Sequence, residues 1–94
     1  MSESQLLRII GANIRAARLK AGLTQECVAE LVGLHWQTVS NIERGKSPCT
    51  VAVAGLLAQH LEVSSEDFFT GFPPIDKRRA AEIRLALSRK RTAR

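Results

Sequence analysis

Ninety-four residues and 10.3 kDa hold one domain with little room for a second. An apolar content of 45% supports a compact core and excludes a wholly disordered chain. No apolar run nears the ~20 residues of a membrane span, MSESQLLRII carries no signal-peptide pattern, and two cysteines cannot build a disulfide scaffold. Membrane, secreted and fibrous classes are therefore excluded, a cytoplasmic location is expected, and the charge of +5 hints at an anionic partner.

The chain reads as short helices separated by clear breaks. Ser4 is the expected cap of a first helix running to about Lys20, with Leu7, Ile10, Ile14 and Ala17 at helical spacing and Gly22 ending it. Thr24 caps a second helix whose inward residues are Val28, Ala29 and Leu31, and Gly33 breaks it after two turns. A third helix spans roughly His35 to Arg44 and stops at Gly45. After the loop Lys46-Ser47-Pro48-Cys49, Thr50 caps a fourth helix reaching about Leu61. Ser64 caps a short fifth one ending near Phe69, with Phe68 and Phe69 expected in the core. No stretch alternates with period two, so the fold is all-α.

Phe72-Pro73-Pro74 marks the one boundary, because the residue before a proline is pushed out of helical geometry. It divides a domain of residues 1–72 from a C-terminal extension of residues 73–94. Within the extension, Ile75 to Arg91 can form a further helix with Ala80, Ile83 and Leu87 on one narrow stripe. That stripe can dock on the body, pair with a second copy, or order on DNA. Charge divides at the same place: residues 1–76 carry six basic and eight acidic side chains, whereas residues 77–94 carry eight basic ones and only Glu82. A nucleic-acid role must come from a local patch on the body, from the tail, or from both.

The informative segment is TQECVAELVGLHWQTVSNIERG, residues 24–45. Ala29 is small where two helix backbones would cross, Gly33 supplies a positive φ for the turn, and Val39 and Ile42 point inward at i, i+3 spacing. Helical geometry then turns Gln37, Ser40, Asn41 and Arg44 outward, with Trp36 flanking them. Such a face can hydrogen-bond to base edges in a major groove: Gln and Asn to adenine, Arg to guanine or phosphate.

Ile10-Gly11, Ile14-Arg15, Arg18, Gly22-Leu23-Thr24-Gln25, Ala29, Gly33, Val39-Ser40, Ile42-Glu43-Arg44-Gly45-Lys46, Pro48 and Leu61-Glu62-Val63-Ser64 carry a resemblance. Over about residues 6–70 the chain resembles the Cro/phage-repressor helix-turn-helix family, the Xre-like regulators. The resemblance implies a five-helix, lambda-repressor-like domain that dimerises and binds a palindromic or near-palindromic operator in double-stranded DNA. It also implies roles. Gln25, beside Thr24, matches the phosphate contact at the start of the second helix; Trp36, Gln37 and Asn41, with Ser40 beside them, match base-reading positions. Arg44, Lys46 and Ser47 match the loop that touches the operator backbone, and Arg18 and Glu43 match a structural ion pair. This chain departs from the pattern at His35, where Ser or Thr is usual as a cap, at Gly55 inside the fourth helix, at Glu62 in place of a helix-ending Gly, and in the tail.

The expected function is that of a sequence-specific transcriptional regulator, most simply a repressor. The alternative is a protein-interaction module or antitoxin-type partner on the same fold, its tail gripping an acidic protein. No catalytic constellation can be assembled, and His35, His60, Cys27 and Cys49 lack metal-site spacing, so neither catalysis, metal nor cofactor is expected.

Overall fold

A computed structural model describes residues 2–92, which form five α-helices and one 3-10 helix, with no strand among the described residues. Helix α1 spans Glu3–Lys20. Its cap is Ser2, two residues ahead of the expected Ser4. The Ser2 hydroxyl accepts from the Gln5 N–H at 3.2 Å, and Gln5 Oε1 accepts from the Ser2 N–H at 2.8 Å. This reciprocal pair satisfies two end donors at once, which Ser4, with Leu7 three residues on, cannot do.

Thr24 caps α2 (Gln25–Val32), accepting from the Cys27 N–H at 3.1 Å. Gly33 ends α2 in the left-handed region at φ 73°, and the Leu34 N–H returns to the Ala29 carbonyl at 2.8 Å. Helix α3 covers Trp36–Glu43, one residue shorter at each end than expected because His35 and Arg44 serve as its caps. His35 fills the Ser/Thr role with its ring: Nδ1 accepts from the Gln37 N–H at 3.1 Å. Helix α4 runs Val51–Leu61 behind the Thr50 cap, and the fifth element, Ser65–Phe69, is a 3-10 helix. Helix α5 (Lys77–Thr92) starts later than the expected Ile75, because Asp76 caps it: Oδ1 accepts from the Arg79 N–H at 3.1 Å.

The core gathers Ile14 from α1, Val28 and Ala29 from α2, Val39 and Ile42 from α3, Leu57 and Leu61 from α4, and Phe68. Two expected core residues lie elsewhere. Leu31 is 46% exposed and Val32 is buried instead, since α3 and α4 both pack on the side of α2 that Val28 and Val32 share. Phe69 is 47% exposed; the 3-10 helix is too short to turn two successive aromatics inward, and Phe69 meets Phe72 edge-on at 5.6 Å. Asn13 of α1 anchors this end, donating to the carbonyls of Phe68 at 2.9 Å and Thr70 at 2.8 Å.

Two contacts hold α3 against α1. Gly11 is buried where the α1 backbone passes the carbonyls of Ile42 and Glu43, so closely that a Cβ there would collide with both. Two turns on, Arg18 and Glu43 form a buried bidentate ion pair: Nε to Oε2 at 2.6 Å and a terminal nitrogen to Oε1 at 2.9 Å. The remaining terminal nitrogen of Arg18 donates to the Leu23 carbonyl at 2.9 Å, and Gln25 Nε2 donates to Glu43 Oε1 at 3.1 Å. The hydrogen bonds to Glu43 push the Arg18 pKa above its usual value, outweighing the desolvation that pulls it down, so the guanidinium stays charged. Among the described residues, α5 takes part in none of the principal helix packings of this body. At ~1.5 Å per residue, α5 projects ~24 Å, and the molecule extends 52 Å along one axis against 26 and 23 Å along the others.

Two stability predictions follow from this packing. Arg18→Met and Glu43→Leu should each cost about 3–5 kcal/mol in urea unfolding, because each leaves a buried charge alone, while the double variant recovers most of the loss. Equal loss in the double variant would contradict a pair whose strength lies in mutual compensation. Glu62 caps α4 in the left-handed region at φ 57°. Glu62→Gly should therefore raise stability by about 0.5–1 kcal/mol, read in the same experiment.

Candidate nucleic-acid interface

Helix α3 owes its orientation to residues that never face solvent. Val39 and Ile42 are buried in the core, Glu43 is held by Arg18, and Leu34 packs against the core from the turn. Those three inward positions leave Gln37, Ser40, Asn41 and Arg44 on the other side. The four are joined along the helix. Gln37 Nε2 donates to Asn41 Oδ1 at 3.4 Å, a terminal nitrogen of Arg44 donates to the same oxygen at 2.9 Å, and Arg44 Nε donates to the Ser40 carbonyl at 3.4 Å. Asn41 thus receives two donors on its carbonyl oxygen, which directs its amide nitrogen outward as a donor. Ser40 lies half-buried between them.

Trp36 opens the helix at 45% exposure, its ring 5.8 Å from the His35 ring. It belongs to the rim of this face, where its indole offers both an apolar edge and an N–H donor. Beyond the C-terminus of α3, the Lys46 and Ser47 N–H groups both return to the Asn41 carbonyl, at 2.9 and 3.4 Å. The turn brings Arg44, Lys46 and Ser47 to the end of the same face, and the Arg44 and Lys46 side chains are exposed.

The start of α2 is more constrained than its sequence suggests. The Gln25 side chain is half-buried and turned toward Glu43, not outward. Its second amide proton stays available, as do the backbone N–H groups of Gln25 and Glu26 at the positive end of the helix; the Thr24 hydroxyl, accepting from Cys27, can still donate. Proximity of Gln25 to an ion pair 18 residues away could not be read from the α2 sequence alone. The same holds for Gly11 and Asn13, whose partners lie across the fold; in the sequence, only the small size of Gly11 within an apolar helix pointed to a close approach.

Cys27 is exposed; Cys49 is half-buried beside Thr50, and burial pushes its thiol pKa up, away from the thiolate range of a redox sensor. Among the described residues no three His, Cys, Asp or Glu side chains group as metal ligands, and no helix is long and apolar enough to cross a membrane.

Known proteins place this arrangement. The helix-turn-helix (HTH_3) family model matches residues 14–68, which contain both the Arg18–Glu43 pair and the whole outward face of α3. The restriction-modification controller protein C.AhdI from Aeromonas hydrophila is similar at 32% identity and a TM-score of 0.64, over 67% of this chain and 96% of its own. The wild-type restriction-modification controller protein C.Esp1396I shares 36% identity at a TM-score of 0.61, over 68% of this chain and 84% of its own. An HTH_3 family transcriptional regulator from Vibrio cholerae shares 29% identity at a TM-score of 0.68, over 77% of this chain but 40% of its own. A search of curated proteins gives no match to this chain. The chain belongs to the helix-turn-helix family of DNA-binding transcriptional regulators.

Proposed function

We propose that the protein is a sequence-specific regulator that binds double-stranded DNA as a dimer on a palindromic operator and represses by occupying it. The observation that carries this reading is the joined polar face of α3. Gln37, Asn41 and Arg44 are tied to one another, so their donors are set before any ligand arrives. Preset donors lose less freedom on binding than independent side chains do. In the major groove, Gln37 and Asn41 read base edges, with Ser40 and Trp36 flanking them. Phosphates are met by Arg44, Lys46 and Ser47 at one end of the face, and by Thr24 and the N–H groups opening α2 at the other.

The size of the face supports a dimeric reading. One two-turn helix reads few base pairs, and two-fold repetition in successive major grooves, ~34–36 Å apart, doubles the contact without a new element. Similarity to restriction-modification controller proteins and to a transcriptional regulator supports a regulatory output.

Selection from a random duplex library tests the reading. The expected result is enrichment of a two-half-site motif with centres ~10 bp apart. No enrichment at low salt by folded protein would mean the same face serves a protein partner instead. On the selected site, Gln37→Ala or Asn41→Ala should cost about 1–3 kcal/mol and relax preference at one base position. Because Gln37 donates to Asn41, the double variant should lose less than the summed singles. Lys46→Ala should instead weaken all sequences alike and lower the salt-dependence slope by about one.

A further inference from the structure

The exposed apolar side chains are not scattered. Apart from Leu19, Leu31 and Trp36, every exposed large apolar side chain among the described residues lies between positions 51 and 87. Four of them, Val51, Phe69, Ile83 and Leu87, fall on two uncovered faces. One borders a groove of about 260 Å³ between α1, α4 and the 3-10 helix, lined chiefly by Ile10, Val51, Ala54, Gly55, Phe68 and Phe69. Val51 at its mouth is 91% exposed, and at Gly55 a Cβ would meet nothing within 4 Å, so the α4 wall of the groove has a gap. The other face is the α5 stripe, on which Ile83 and Leu87 are each about half exposed.

We infer that α5 of one chain docks Ile83 and Leu87 into the Val51–Gly55–Phe69 groove of a second copy, reciprocally, so that the dimer is held by exchanged arms. The inference rests on the dimeric reading above and names what makes the dimer. Size agrees: a void of ~150 Å³ already accepts a benzene-sized apolar group, so the groove has space for two aliphatic side chains. Charge agrees as well. Helical geometry sets Arg79 and Arg84 on either edge of the α5 stripe, and Glu66 and Asp67 are exposed on the 3-10 helix that forms one wall of the groove. Two α5 helices facing each other would set those arginines against their own kind, which opposes direct α5–α5 pairing.

The linker directs the arm to another chain. Asn13 clamps the carbonyls of Phe68 and Thr70, and Phe72 sits edge-on against Phe69, so the chain leaves the body in a fixed direction. Pro73-Pro74 then keeps it extended. With these contacts in place α5 stands off its own groove, which a two-fold partner's arm can then fill.

The full-length chain allows a direct test by sedimentation equilibrium. Gly55→Leu fills the groove while improving helix propensity, so it should weaken self-association about tenfold or more while the chain keeps its helical circular dichroism. Ile83→Asp with Leu87→Asp alters only exposed α5 positions and should weaken it similarly. In a Cys27→Ser, Cys49→Ala background, differently tagged chains carrying Gly55→Cys and Leu87→Cys should form an inter-chain disulfide on oxidation. A dimer of unchanged affinity in the first two variants overturns the exchange and leaves the dimeric reading standing. Disulfides formed only within a chain carrying both cysteines would place α5 on its own body and overturn it too. So would unchanged self-association with a smaller salt slope of DNA binding in the Ile83/Leu87 variant, which would make α5 a phosphate-binding arm. A wild-type chain that stays monomeric off and on DNA removes the dimeric reading itself.

Discussion

The contact between α1 and the end of α3 governs the rest of the structure. A two-turn helix such as α3 has too few internal hydrogen bonds to persist alone, and its direction is set wholly by what it packs against. Gly11 lets the α1 backbone reach the last carbonyls of α3, and Arg18 then grips Glu43 through two parallel bonds. A bidentate guanidinium–carboxylate pair fixes rotation as well as distance, which an apolar contact in the same place would not do. With Val39 and Ile42 inward and Glu43 pinned, the rotation of α3 is determined, and so is the identity of the side chains that face outward. Gln25 extends the same network to the start of α2, so the outward face of α3 and the start of α2 are referenced to one buried carboxylate.

Net charge is a poor guide to how such a surface would work. The body carries more acidic than basic side chains, so any attraction of the body itself to DNA would have to come from placement instead of from total. Arg44 and Lys46 stand at one end of the outward face, and the partial positive charge of the α2 N-terminus stands at the other. Meanwhile Glu43, which adjoins that surface in sequence, is turned inward and neutralised by Arg18. The ion pair therefore has two consequences: it orients the helix, and it removes a negative charge from the face that would meet phosphates.

Local chemistry was legible in the sequence, and distant chemistry was not. Thr24, Gly33, Thr50 and Ser64 act within three residues of themselves, and each caps or breaks the element it was expected to. The inward residues Val39 and Ile42 were legible because helical spacing settles them once the helix is placed. Ser2 was missed because a capping box needs the residue three positions on, and Gln5 is a less conspicuous partner than an apolar run. Leu31 and Phe69 were misplaced for another reason: in an element of one or two turns, spacing allows a wide arc, and neighbouring elements choose within it. The Arg18–Glu43 pairing was available only through family resemblance, since 25 residues separate its partners. The inward turn of Gln25 and the clamp of Asn13 had no sequence signal at all.

The two halves of the body differ in how firmly they are specified. The ion pair that joins α1 to α3 is buried and further bonded to the Leu23 carbonyl and the Gln25 amide, and no buried side-chain nitrogen or oxygen among the described residues lacks a partner. Helix α4 is held more loosely. It carries a glycine in its middle, ends on a glutamate in left-handed geometry, and leaves Val51 almost fully in solvent. Each of these features costs about 1 kcal/mol or less in an exposed helix, and none of them touches the outward face of α3. A rigid outward face on α3 and a permissive face on α4 are compatible demands, because the mutually fixed donors lie on α3 alone. Where a second protein surface has to seat, an unfilled position such as Gly55 leaves room that a fully packed helix would have closed.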